Sequence, residues 1–407
     1  MKFLFITNND HDGAGQQVVR LSNYLLRKNH KVTILVANKK KKLSNIFEVK
    51  RVFIYRILNF IFKLLVKKKF TLFNFDINTA NFRDIKKHTN NADAIFFYST
   101  FNLISTRILS QLLKLKKKFF LRPCDMEMLT GGCHMNFNCN KYKKNCNICP
   151  QVIFSKIFNF SKKNIEKKSE IYLKYSPRII FDSSFLENIT RNNSIVSNLK
   201  KKVIHFGVET LRYRNINKFV ARKKLNLDPH KKIILYGAFN LDDPRKGYGV
   251  LLSVFKKIST VLSNNKTNQK IILLTMGKTN NFYFNFPNIE WKHLGLINSE
   301  MKLNLIYRAS DILFCPSIDD TGPHIVREAV MNDLQVISFD RGAAIDLVLN
   351  GINGFRVKCF DINDFTRLTL KLIMQNNKNL FKKIEFIKKE LTTAYEANQI
   401  IDFIRKY

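Results

Sequence analysis

The sequence predicts an α/β protein built from two doubly wound, Rossmann-like domains that face each other across a cleft. Three observations predict it. The chain has 407 residues, the length of two ordinary domains. Short apolar runs alternate with amphipathic stretches through both halves. The opening reads strand, glycine turn, helix, strand, which is the start of a parallel sheet. An apolar fraction of 45% supplies two cores, and only 14 glycines and 8 prolines argue against low complexity.

Lys2–Thr7 is an apolar strand and Asp12–Gly15 a tight turn. Gln16 to about Arg27 carries Val18, Val19, Leu21, Leu25 and Leu26 on one helical face. Lys31–Ala37 is a second strand. Then comes Asn38–Phe75, with basic runs Lys39–Lys42 and Lys67–Lys69 around Phe53, Ile54, Leu58, Ile61, Phe62, Leu64 and Leu65. Arg56 and Lys63 interrupt it, so it does not span a bilayer. Two readings fit: a basic amphipathic helix on an anionic membrane surface, or a helix packed on the sheet with a solvated lysine rim.

Strands resume at Ala94–Tyr98 and Lys118–Arg122, and Arg178–Phe181 and Lys202–Phe206 close the first half. A linker is expected around Gly207–Leu227. The second half alternates again, with strands Lys232–Ala238, Lys270–Met276, Ile289–Leu294, Asp311–Cys315, Gln335–Phe339 and Gly354–Val357. Helices are expected near Tyr248–Leu262, Ser299–Arg308, Pro323–Met331 and Asp364–Met374. The domains are therefore 1–207, with a cysteine-rich insertion at 124–150, and 208–390. A terminal helix at 391–407 is expected to cross back to the first domain.

Lysine and arginine number 70 against 31 acids, a formal charge of +39. Such charge suits phosphorylated ligands, an anionic membrane or nucleic acid, but compositional drift explains part of it. The lysines spread over both halves without a nucleic-acid motif, so no nucleic-acid partner is expected. Phe3–Thr7 is too short for a signal peptide or a membrane span, so a cytoplasmic protein is expected, peripheral at most on the inner leaflet. Its seven cysteines then read as thiols or metal ligands.

The turn Asp12-Gly13-Ala14-Gly15 is half of a dinucleotide fingerprint. Val18 stands at the third glycine position, and the second strand ends in Ala37-Asn38 and lysines where NAD needs an acid. A nicotinamide site is excluded by this pattern. What remains is a glycine turn before a helix, where backbone approaches an anion or a sugar at Gly13, Ala14 and Gly15.

Asp311–Phe355 is more informative. A strand ends at Pro316-Ser317, and Gly322-Pro323-His324-Ile325 opens a helix. Asp320 lies before the helix start and Glu328 eight residues later. A helix N-terminus offers amides and a positive dipole end to a diphosphate. The two carboxylates suit ribose and sugar hydroxyls; the plainer reading is a loop charge and a capping charge. Gly237–Gly247 (GAFNLDDPRKG) adds Arg245 and Lys246 at a strand's carboxyl end, a forked guanidinium and an ammonium suited to a diphosphate.

This stretch resembles the donor-binding signature of glycosyltransferase family 4, of the two-domain GT-B fold. The matches are Pro316-Ser317, Glu328-Ala329, Val336-Ile337, Gly351 and Gly354. Asp320 stands where the family has Glu, Asn332-Asp333 where it has a small pair, and Gly342-Ala343 where it has Gly-Gly. The resemblance implies that Arg245 and Lys246 clamp the donor phosphates. It also implies retaining transfer from a UDP- or GDP-linked sugar without a divalent metal.

Arg122–Gln151 resembles a bacterial subgroup acting in surface-polysaccharide synthesis, with T-G-G-C-H and C-x-x-C-P motifs. The resemblance implies a glycan or lipid-linked acceptor, a role in lipopolysaccharide-like synthesis, and a cleft-facing loop. Cys124 falls where many members have His, which leaves Asp125 first and His134 second as candidates at the reacting sugar, with Arg122 nearby. Cys133, Cys139, Cys146 and Cys149 lie within seventeen positions, a spacing compatible with a closed structural zinc site or with four unliganded thiols. An epimerase-like or inactive protein of the same fold is the alternative to a transferase.

Overall fold

The computed structural model describes residues 1–67, 72–77, 79–101, 103–209, 216–264, 270–374 and 383–407. Lys68 and Lys69 of the second basic run, and 210–215 of the expected linker, lie outside the described residues. The chain divides into two compact units, Met1–Gly207 with Thr393–Tyr407, and Val208–Thr392.

The first unit holds a seven-stranded sheet of order β3-β2-β1-β4-β5-β6-β7. The strands are β1 (Lys2–Asn9), β2 (Lys31–Asn38), β3 (Ile46–Glu48), β4 (Ala94–Phe97), β5 (Lys118–Leu121), β6 (Arg178–Phe181) and β7 (Lys201–Val203). Every pairing is parallel. Parallel strands buried on both faces read as continuous apolar runs, as AIFF at β4 does. Helices α1 (Gly13–Arg27), α2 (Phe53–Lys63), α3 (Phe82–Thr89), α4 (Thr106–Leu113), α5 (Phe160–Tyr175) and α6 (Ser184–Ile189) connect them.

The second unit holds a six-stranded sheet of order β10-β9-β8-β11-β12-β13. Its strands are β8 (Lys232–Asn240), β9 (Ile271–Lys278), β10 (Ile289–His293), β11 (Ile312–Cys315), β12 (Gln335–Phe339) and β13 (Gly354–Val357). All of these pairings are parallel as well. Its helices are α7 (Lys218–Lys224), α8 (Tyr248–Asn264), α9 (Glu300–Ala309), α10 (His324–Met331), α11 (Ala344–Leu347), α12 (Ile362–Met374) and α13 (Glu385–Glu390). The expected α/β class with two Rossmann-like sheets is what the structure has. In each sheet the strand order reverses beside the first strand, at β1/β4 and at β8/β11, and ligands of such sheets bind in the crevice at that switch point.

The last helix, α14 (Thr393–Arg405), lies in the first unit. Ala397, Ile400, Phe403 and Ile404 join a core with Phe3, Phe5, Val18 and Leu25. Its Glu396 accepts the Gly207 amide at 2.7 Å, and a side chain at Gly207 would meet the Thr393 backbone at 2.4 Å. Only glycine lets the chain turn there.

Three expectations change. Helix α1 starts at Gly13, not Gln16, because Asp12 caps it by accepting the Gly15 amide at 2.8 Å. Pro323 is the residue before α10 rather than its first residue, with ψ 117°. The reading of α2 as packed on the sheet through its apolar residues also fails. The helix buries Asn59 and leaves Phe53, Phe60 and Leu64 71%, 68% and 71% exposed. Among the described residues, no helix is long and apolar enough to cross a membrane.

Candidate functional site

The switch point of the second sheet collects the charged groups singled out in the sequence. Strand β8 runs into a 3₁₀ turn at Pro244–Lys246, capped by Asp243, which accepts the Arg245 amide at 2.9 Å and its guanidinium at 2.7 Å. The loop after β11 closes on that turn: the Ile318 amide donates to the Arg245 carbonyl at 2.8 Å. Gly247, with φ 82°, ends the turn, and a Cβ there would stand 2.0 Å from the Pro316 oxygen. Such a contact is impossible for any residue but glycine.

Lys246 then reaches Asp320 and forms an ion pair with its carboxylate. Burial pushes the Asp320 carboxyl up. Lys246, the Gly322 amide and Arg245 outweigh that and hold it below its ordinary value. The Gly322 amide donates to Asp320 at 3.1 Å. Gly342, after β12, has φ 56°, and a Cβ there would lie 2.7 Å from Pro323 and 3.0 Å from the Asp320 carbonyl. At Gly237 a Cβ would press on Ile325 at 2.8 Å. Arg245, Lys246, Asp320, Gly322, Pro323 and Ile325 are thus brought together at the start of α10, whose first residue is His324.

Glu328 sits one turn further along α10, buried, with its carboxylate accepting the Tyr307 hydroxyl at 2.7 Å. Tyr307 was not singled out in the sequence. Neither was Arg327, fully buried, which donates to the Gly322 carbonyl at 2.9 Å, nor Arg341, which donates to the Ile318 carbonyl at 3.0 Å. The two arginines fix the loop through those carbonyls. In a lysine-rich chain only the adjacency Arg327-Glu328 hinted at them.

In the first unit, Asp125 and His134 form a pair at 3.1 Å at the carboxyl end of β5. One backbone bond ties the two segments, the Met126 amide donating to the His134 carbonyl at 2.9 Å, and the Asp125 carboxylate accepts the Glu127 amide at 2.7 Å. Burial pushes the Cys124 thiol well up, as do Asp125 and Asp182, so it stays protonated at neutral pH. Arg122, the third polar residue near this loop, ties the sheet to the last helix. It is fully buried, pairs with Glu396 at 2.7 Å and stacks on Phe206, its guanidinium carbon 4.3 Å from the ring centre. It secures α14 through Glu396.

Gly15 packs against strand β1, where a Cβ would meet the Asn9 carbonyl at 2.2 Å, whereas Gly13 borders open space and Ala14 lies between them in the first turn of α1. Asp10 is completely buried and accepts the amides of Lys40 at 3.0 Å and Lys41 at 2.8 Å. Burial raises its carboxyl, but those amides hold it below its ordinary value. Asp10 and Asp12 are therefore committed to backbone amides. Cys133, Cys139, Cys146 and Cys149 are unbridged and line one small cavity. Among the described residues no three His, Cys, Asp or Glu side chains stand in coordinating geometry.

Residues 217–385 match the family Glycosyl transferases group 1. No curated protein matches the chain significantly. Among solved structures, the chain is similar to sucrose-phosphate synthase from Thermosynechococcus elongatus, at 14% identity and TM-score 0.69, covering 100% of this chain and 98% of that one. It is similar to HepE of Anabaena in complex with UDP-glucose, at 12% identity and TM-score 0.67, with both chains fully covered at 100%. It is also similar to WaaG, a glycosyltransferase involved in lipopolysaccharide biosynthesis, at 11% identity and TM-score 0.66, with 99% of each chain covered. These likenesses give the GT-B fold. With its group 1 domain, the chain is a glycosyltransferase.

Proposed function

We propose that this glycosyltransferase moves a sugar, with retention, from a UDP- or GDP-linked donor to a hydroxyl of a glycan or lipid-linked acceptor in surface-polysaccharide synthesis. One observation carries the reading: Lys246 and Asp320 meet at the switch point of the second sheet, between the Arg245 turn and the start of α10. A guanidinium, an ammonium and a helix N-terminus are the groups that take up a diphosphate. Their charge stabilises the departing nucleotide, which is where catalysis needs it, and does so without a divalent metal. Glu328, held by Tyr307, would accept a hydrogen bond from a ribose hydroxyl. Asp125 and His134 are the acceptor-side candidates. A donor linked to UDP is favoured by the HepE complex, and an envelope-glycan acceptor by the likeness to WaaG.

The exposed face of α2 supports an acceptor presented on a membrane. Its exposed apolar residues are interleaved in sequence with Arg56 and Lys63 and preceded by Lys39–Lys42, Lys50 and Arg51, in a chain of net charge +39, a combination that suits anionic lipid. No other part of the reading depends on that contact.

Thermal-shift measurements with UDP, GDP and their common sugar conjugates test the reading, because a ligand that binds the native state raises its melting temperature. One nucleotide series is expected to stabilise the protein. Asp125→Ala should keep that shift and lose turnover. If no nucleotide at millimolar concentration moves the transition, the donor assignment fails.

A further inference from the structure

The cysteine-rich segment raises a question that sugar transfer does not answer. Seventeen positions from Cys133 to Cys149 hold little regular structure, a 3₁₀ turn at Lys141–Lys143 apart. Only Met135 and Tyr142 lend it large buried apolar side chains beyond the cysteines. A loop of this length with so small a core is not expected to hold one conformation by itself.

The backbone is nevertheless tightly specified around the sulfurs. Phe137 and Asn138, just before Cys139, have φ 46° and 63°; Cys146 itself and Ile148, between Cys146 and Cys149, have φ 53° and 48°. Left-handed conformations at four side-chain-bearing residues cost free energy that something must offset. The amides around the cysteines also turn inward. Gly131 N–H donates to the Cys146 sulfur at 3.3 Å, and the amides of Gln151 and Val152 reach the Cys149 sulfur. All four sulfurs line one cavity, together with Lys141, whose ammonium donates to the Ile148 carbonyl at 2.8 Å.

The cavity also sits at a mechanical junction. Gly131 and Gly132 are wedged where a Cβ would meet the Ser161 carbonyl at 2.3 Å and the Asn74 carbonyl at 2.2 Å, which sets Cys133 in place. Cys133 and Cys149 belong to a small core with Phe73, Phe75 and Val152, against which Phe62 and Leu65 pack. Val66 bridges Val152, and the Lys67 amide donates to the Gln151 carbonyl at 2.9 Å. His134 follows Cys133 directly.

We propose that Cys133, Cys139, Cys146 and Cys149 bind a structural zinc ion that fastens the loop presenting His134 and the base of α2. Four thiolates fill a tetrahedral zinc, leaving no open position for catalysis. The sulfurs line the cavity without yet converging, so binding requires rotation about the cysteine side-chain bonds. Each thiol loses its proton to solvent on binding; four thiolates and Zn²⁺ leave a doubly negative centre, which Lys141 faces.

The test is metal analysis of the full chain, purified without chelator. About one zinc per chain is expected. Replacement by cobalt should give the thiolate charge-transfer and tetrahedral d–d bands of a four-sulfur site. Cys146→Ser and Cys149→Ser should lose the metal, whereas Cys315→Ser and Cys359→Ser should keep it. Should the first two variants fail to fold, the wild-type stoichiometry and cobalt spectrum still decide. A metal-free chain whose melting ignores added zinc overturns the proposal. So does an intact mass short by two hydrogens for each disulfide within the cluster.

Discussion

Lys246 and Asp320 lie 74 positions apart and form an ion pair, with the Asp320 side chain only 12% exposed and that of Lys246 27%. The pair joins the loop after β8 to the loop after β11 across the switch point. In the proposed donor site, the pair would hold a cation for the diphosphate, balanced by an acid that sugar hydroxyls can also use.

Lys246→Ala should weaken nucleotide diphosphate binding by roughly tenfold or more, the size of one lost charge-assisted hydrogen bond. Asp320→Asn keeps the shape and frees the ammonium. It should leave the affinity for the bare nucleotide diphosphate intact and reduce turnover of the sugar conjugate. Titration calorimetry with both ligands separates the two effects; equal losses in both variants would contradict the division of labour.

The depressed Asp320 carboxyl has a pH signature. Its folded value lies below the ordinary 3.8, so the stability it contributes is present above pH 3.8 and is lost as the pH falls through the folded value. Melting curves of wild type and Asp320→Asn should therefore keep a constant separation at neutral and mildly acidic pH. Below pH 3.8 the wild type should lose ground to the variant. Parallel curves throughout would mean that the pair does not perturb the acid.

Tyr307 donates to Glu328 inside the unit, 21 positions away. Tyr307→Phe should cost about 1 kcal/mol of stability and only a modest part of nucleotide affinity. Glu328→Ala should abolish most of the affinity. A Tyr307→Phe loss as large as that of Glu328→Ala would mean that the hydroxyl itself touches the ligand.

Arg122 and Glu396 are 0% and 3% exposed. Truncating one member of a buried pair strands the other, so Arg122→Met should cost about 3–5 kcal/mol. The drop in melting temperature should be roughly 10 °C for a unit of this size. Nucleotide affinity measured below the transition should hold, because Arg122 belongs to the first unit. The double variant Arg122→Met/Glu396→Met should recover part of the loss. A further drop in the double variant would argue against a mutual pair.

Phe53, Phe60 and Leu64 stand outward on α2 and just beyond it. Replacing all three by Ser should abolish binding to anionic vesicles while donor hydrolysis continues, with little change in melting temperature because these side chains bury little surface. Neutral vesicles should bind the wild type weakly, and added salt should weaken binding to anionic ones. Vesicle binding that survives the triple change would remove α2 from the membrane reading.

Much of this protein could be read from the order of its residues. Period and apolarity alone locate most strands and the two-sheet class, because parallel strands buried on both faces must be continuous apolar runs. The pairs Arg245-Lys246 and Asp320–Glu328 stand out in the sequence through their resemblance to a donor-binding signature, before any contact is known. Short elements such as β3 and α6 carry too few periods to be seen. Partnerships across long separations were invisible too: Arg122 with Glu396, Tyr307 with Glu328, Asp10 with the lysine-run amides. Folding decides these pairings, because a side chain's partner depends on which loops the sheets bring to the same end. The orientation of α2 was likewise settled only there. Its composition suits a buried or an exposed apolar face equally, and the Val66–Val152 bridge and the Phe62–Phe75 contact fix which one turns outward.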